Sequence, residues 1–85
     1  MDSTAYTPQQ LAQALRGQRK TRKLTQKQTA VLVGLLPKTI SNLETNPQSS
    51  TIESLFKLLS ALELELVIRP KASTDKSSDH SSLEW

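Results

Sequence analysis

The stretch from Leu24 to Glu44 constrains the fold of this chain more than any other, because three of its residues fix the backbone at intervals too short for long elements. Thr25 can cap a helix running from Gln26 to about Val33. Gly34 stands where a left-handed residue is expected to stop that helix, and Pro37 suits the first position of the next one, which continues through Lys38, Thr39, Ile40, Ser41, Asn42, Leu43 and Glu44. Two short helices joined by a tight turn containing glycine make a helix-turn-helix. Ala30 is small because the second helix crosses close to it, and Leu35, Ile40 and Leu43 hold that helix from behind. Leu36 is a poor cap by residue type, so this helix start is defined only to within a residue or two.

The flanking sequence supplies two further helices. Thr7 caps the first with Gln10 three residues on, Pro8 opens it, and Tyr6 can staple against Leu11. Leu11, Ala12, Ala14 and Leu15 form its inward stripe, and it should end near Arg22 or Lys23. Ser50-Thr51-Ile52-Glu53 reads as a capping box for the last helix, with Ile52, Leu55, Phe56, Leu59 and Leu62 as its core stripe. Beyond it, Leu64 to Arg69 alternates and ends at Pro70, which reads as a single strand. A lone strand leaves its backbone unpaired, so the economical partner is the same strand of a second copy, with Leu64, Leu66, Val67 and Ile68 at a twofold interface. The alternative is that residues 63–68 simply prolong the last helix.

An 85-residue chain is marginally stable alone, and this one has no cysteine and a single histidine, His80. Disulfides and a His/Cys metal site are thereby excluded, no cofactor is implied, and oligomerisation is the remaining support. No apolar run is long enough to span a membrane, and the first ten residues lack the basic-then-apolar pattern of a secretory signal, so a cytoplasmic location is expected. An enzyme is not expected either, since no nucleophile with a base, phosphate loop or carboxylate cluster is present.

Charge is unevenly distributed. Residues 1–43 hold seven basic side chains (Arg16, Arg19, Lys20, Arg22, Lys23, Lys27, Lys38) against one acid, Asp2, whereas residues 44–85 hold four basic against seven acidic. A polyanion, and nucleic acid above all, is the partner this implies for the first half; the competing reading is a solvated helix face. The last sixteen residues contain only three apolar side chains, Ala72, Leu83 and Trp85, and read as unfolded. A tryptophan at the end of such a segment is a candidate anchor for a partner protein, with Leu83 beside it.

Thr25, Gln26, Ala30, Gly34, Leu35, Ile40, Ser41 and Glu44 stand in the register of the Cro/C1 repressor-like helix-turn-helix family, which the sequence resembles from about residue 8 to 62. The one departure is Thr29, where the family carries an aliphatic residue. More narrowly, Tyr6-Thr7-Pro8 leading into Gln10-Leu11-Ala12, the run Thr39 to Pro47, the strand after Leu62 and the ending Leu83-Glu84-Trp85 resemble the HipB type of antitoxin. The resemblance implies an all-α, lambda-repressor-like bundle of four or five helices, with one C-terminal strand forming an intermolecular two-stranded sheet in a homodimer. It also implies repression of the protein's own operon and neutralisation of a HipA-like serine/threonine kinase toxin by complex formation. A stand-alone repressor of the same fold and a protein-binding adaptor without specific DNA contact are the alternatives.

Residue roles follow from this placement. Lys38 is the best candidate for a base contact, since lysine donates to guanine O6 and N7, and Pro37, Thr39 and Ser41 lie beside it at the leading end of the helix that meets the major groove. Leu36 and Pro37 suit a thymine methyl. Gln26, Lys27, Asn42, Arg16, Arg19 and Lys20 are expected at phosphates or in setting register, although Arg16 and Arg19 have a competing reading as partners of Glu44. The chain thus divides into an N-terminal arm (1–6), a DNA-binding domain (7–63), a dimerisation strand (64–69) and a tail (70–85) carrying Leu83 and Trp85 as toxin contacts.

Overall fold

The computed structural model describes residues 3–71, an all-helical bundle of four helices: α1 (Pro8–Thr21), α2 (Gln26–Val33), α3 (Pro37–Thr45) and α4 (Ile52–Ala61), with a 3₁₀ turn at Pro47–Ser49 between the last two. Three of the four starts are capped by threonine. Thr7 Oγ1 accepts from the Gln10 amide at 3.0 Å. Thr25 Oγ1 accepts from the Gln28 amide at 3.0 Å while Gln28 Oε1 accepts from the Thr25 amide at 2.9 Å, a complete capping box. At α4 the box differs from the one expected: Thr51, one residue further on than Ser50, is the cap and accepts from the Ser54 amide at 3.0 Å. Glu53 pairs instead with Lys57 one turn on, at 3.7 Å on the surface. No side chain caps α3, which opens on Leu36 and Pro37.

The helix ends share one device. At the ends of α1, α2 and α4 a residue in the left-handed region reverses the chain: Lys23 (φ 58°), Gly34 (φ 71°) and Glu63 (φ 57°). In each case two backbone bonds close the turn, Leu24 N to Arg19 O with Lys23 N to Lys20 O, Leu35 N to Ala30 O with Gly34 N to Val31 O, and Leu64 N to Leu59 O with Glu63 N to Ser60 O. This is the Schellman pattern, and the leucine that follows each reversal folds back against the core. The third reversal ends α4, so the alternative in which that helix continues through residue 68 is excluded.

Leu15, Ala30, Ile40, Leu43, Leu58, Leu59 and Leu62 form the buried core, with α2 packed on both α3 and α4 and α1 packed on α3. The expected stripe of α4 is corrected here. Leu58 is fully buried, whereas Ile52 and Phe56 are 72% and 49% exposed. The inward face is Leu55, Leu58, Leu59 and Leu62; Ile52 and Phe56 lie to one side of it. Thr29 is fully buried, and its hydroxyl donates to the Thr25 carbonyl at 2.9 Å, so the hydroxyl is satisfied within α2 and a threonine fits where an aliphatic residue was expected.

Residues 64–71 form neither helix nor strand within the chain. They run beside residues 3–7, with Lys71 Nζ 5.2 Å from the centre of the Tyr6 ring. Leu66, Val67 and Ile68 are exposed, Ile68 to 91%.

The left-handed residues provide a direct test of the turns. A Cβ at Gly34 would meet no atom within 4 Å, so Gly34→Ala should cost about 1 kcal/mol through backbone strain alone. Lys23→Gly should go the other way, gaining about 0.5–1 kcal/mol. Urea denaturation of the two variants is expected to move the midpoint in opposite directions.

Candidate nucleic-acid interface

α3 is positioned by a buried charge cluster. Arg19, from the last turns of α1, grips Glu44, from the end of α3, through Nε to Oε2 at 2.7 Å and Nη2 to Oε1 at 3.0 Å. Its remaining terminal nitrogen, Nη1, donates to the Leu24 carbonyl at 2.7 Å, and Gln26 Nε2, at the start of α2, donates to Glu44 Oε1 at 3.2 Å. One carboxylate thus ties the end of α1, the start of α2 and the end of α3 together. The Glu44 side chain is 1% exposed and that of Arg19 10%. Donation of its hydrogen bonds to Glu44 raises the Arg19 pKa above its ordinary range, outweighing desolvation, with the charge of Glu44 adding to the rise. A raised basic pKa stabilises the fold at every pH below the unfolded-state value and withdraws only in strong alkali, so the guanidinium stays charged throughout ordinary conditions.

This corrects one expected role. Arg19 is not at the surface to meet a phosphate: it is buried and every guanidinium nitrogen has an internal partner. Of the two arginines weighed as partners of Glu44, it is Arg19 that takes the place, and Arg16 is exposed. The signal was in the sequence. Arg19 continues the inward register of Ala12 and Leu15, and Glu44 stands one turn beyond Ile40, so each helix carries a charge at a core position.

With α3 held from behind, its leading end faces solvent. Pro37 and Lys38 are exposed, and Thr39, Ser41 and Asn42 are half-buried along the same helix. On α2, Lys27 is exposed and Gln26 is half-buried with its amide engaged by Glu44. Lys20, Arg22 and Lys23 are exposed at the end of α1; Arg22 lies 3.6 Å from Glu63 in a solvent-exposed pair of little energetic weight. Sequence reasoning overlooked a neighbouring feature: Val31, Leu32 and Leu36, around the α2–α3 turn, are 72%, 59% and 68% exposed. Leu83 and Trp85 lie outside the described residues. Among the described residues no group of His, Cys, Asp and Glu is placed to hold a metal ion.

Removing either half of the buried pair leaves the other charge uncompensated. Arg19→Met is therefore expected to cost about 3–5 kcal/mol in chemical denaturation, and adding Glu44→Leu to it should recover much of that loss.

Comparison with known proteins agrees with this geometry. The helix-turn-helix family pattern matches residues 15–68. Antitoxin HipB of Escherichia coli K12 is 37% identical over 81 residues, which cover 94% of this chain and 92% of the relative. Antitoxin HipB of Escherichia coli O6:H1 is 35% identical over 81 residues, covering 94% and 86%. Among solved structures, a HipB–O4 20mer complex and a HipA–HipB–O2–O3 complex each superimpose with a TM-score of 0.78 at 36% identity, covering 81% of this chain and 97% of theirs. The chain belongs to the helix-turn-helix family and, within it, to the HipB-type antitoxins.

Proposed function

We propose that this protein is a dimeric, sequence-specific DNA-binding repressor and antitoxin that regulates its own operon and neutralises a HipA-like serine/threonine kinase toxin by forming a complex with it. The observation that carries the reading is the exposed leading end of α3, fixed from behind by the Arg19–Glu44 pair, in a chain more than one-third identical to HipB along nearly its whole length. HipB relatives have been solved with a 20mer and together with HipA, which favours an antitoxin over a stand-alone repressor or an adaptor.

In this reading Lys38 reads bases, with Pro37, Thr39 and Ser41 beside it, while Arg16, Lys20, Lys27, Gln26 and Asn42 meet phosphates or set register. Two copies place their α3 helices in major grooves about one helical turn (~34 Å) apart. Leu64, Leu66, Val67 and Ile68 form an intermolecular two-stranded sheet across the twofold axis. Exposed Ile52 and Phe56 add apolar area to a surface that a monomer this small has little reason to leave bare. The domain boundaries are those expected from sequence, with residues 1–6 as an arm, 7–63 as the DNA-binding domain, 64–69 as the dimer strand and 70–85 as a tail whose Leu83 and Trp85 contact the toxin. The protein works in the cytoplasm; no described helix is long and apolar enough to cross a membrane.

Lys38→Ala is expected to weaken operator binding by about 1–3 kcal/mol and to relax base preference, whereas Arg16→Ala should weaken all duplexes alike and lower the salt slope by about 1. Binding isotherms at several salt concentrations separate the two effects, and unchanged affinity in both variants would refute the DNA-binding reading. Val67→Asp should shift the chain toward monomer in sedimentation equilibrium. Co-purification with the product of an adjacent kinase-like gene tests the antitoxin assignment, and the tail role fails if removing residues 70–85 leaves that capture intact.

A further inference from the structure

Val31, Leu32 and Leu36 form an apolar patch around the α2–α3 turn that the fold does not use: all three are more than half exposed, and none belongs to the core. Its surroundings are cationic. Lys27 precedes Val31 by one turn on α2, Lys38 follows Leu36 by two residues, and both lysines are exposed. No acid occurs between Ser3 and Leu43, and the nearest one along the chain, Glu44, is buried against Arg19. The complementary ligand is a short segment with apolar side chains flanking a negative charge.

The chain carries such a segment itself, in Leu83-Glu84-Trp85, with Asp75 and Asp79 upstream against a single Lys76. Eleven residues separate Lys71 from Leu83, and the twelve steps between the two reach at most ~40 Å, close to the 45 Å long dimension of the molecule. Among the described residues the other exposed apolar side chains, Ile52, Phe56 and Leu66–Ile68, have charges of both signs beside them, with Glu53 paired to Lys57, Glu63 paired to Arg22, and Glu65, Arg69 and Lys71 along the chain, so that face lacks the purely cationic border of the α2–α3 turn.

We propose that Leu83-Glu84-Trp85 docks on the Val31–Leu32–Leu36 patch between Lys27 and Lys38, and thereby competes with nucleic acid for the same face of the domain. The competition rests on the DNA-binding reading above; the docking does not. A tether of this length gives an effective concentration of about 1 mM, so even a contact with an intrinsic dissociation constant of a few tenths of a millimolar fills most patches and weakens a competing duplex about three- to fivefold.

Trp85 is the only tryptophan, so its fluorescence in the full chain reports the contact directly. Emission blue-shifted from that of a hydrated indole is expected, returning to the hydrated value in a Val31→Ser, Leu32→Ser variant whose fold is checked by circular dichroism, and unchanged in Ile52→Ser, Phe56→Ser. Hydrated emission in the unaltered chain overturns the docking, as does a shift produced by the Ile52 and Phe56 changes instead. Adding a short random-sequence DNA duplex should move the emission to the hydrated value, and a chain ending at Lys71 should bind that duplex about three- to fivefold more tightly than the full chain. Equal affinity of the two forms overturns the competition. Binding by neither form counts against the DNA-binding reading and the competition together, while the emission of the free chain still decides the docking.

Discussion

The structure depends on one buried carboxylate. Glu44 receives two bonds from Arg19 and one from Gln26, while Arg19 also holds the Leu24 carbonyl, so three helices and the first turn meet at a single charged cluster. Burying two opposite charges need not stabilise a fold more than two well-packed apolar side chains would. What the cluster provides is direction: a bidentate guanidinium donates to a carboxylate in one plane, which fixes how α3 is rotated against α1 in a way that interchangeable leucines cannot. The face of α3 presented to solvent follows from that rotation.

Direction is also the contribution of the three left-handed turns. Each ends a helix of 8 to 14 residues and returns a leucine to the core, so the chain is reversed three times by the same pair of backbone bonds. Only one of the three reversing residues is glycine. Lys23 and Glu63 adopt a backbone conformation that costs a side-chain-bearing residue about 1 kcal/mol, and the two closing bonds with the leucine contact offset it.

The domain remains small for what it must bury. Its core consists of seven residues with five leucines packed around them, and large apolar side chains remain on two separate surfaces, one around Ile52, Phe56 and residues 66–68 and one at the α2–α3 turn. A chain without cysteine has no disulfide with which to compensate, and both surfaces suit a protein whose work is association. The charge bordering each surface, mixed in sign at the first and basic at the second, sorts their partners.

Local chemistry made much of this legible in the sequence. Threonine caps, the proline starts and Gly34 act within a few residues of themselves, so the four helices and the turn of the central motif could be read without knowing what packs on what. The inward residues of α1 and α3 followed from helical spacing. Where the reading departed from the structure, the deciding term was nonlocal. Ile52 and Phe56 satisfy the same periodicity as Leu55 and Leu59, and only the direction from which α2 approaches α4 selects Leu58 for the core in their place. Arg16 and Arg19 both stood as candidate partners of Glu44, and the packing of α1 against α3 selects Arg19, 25 residues away. The sequence by itself determined where the helices begin, to within a residue or two, and where α2 ends, because caps and a left-handed glycine are short-range backbone effects. Only the tertiary structure decided which cation is buried and which apolar side chains are left outside, because burial depends on the relative placement of helices that no local pattern encodes.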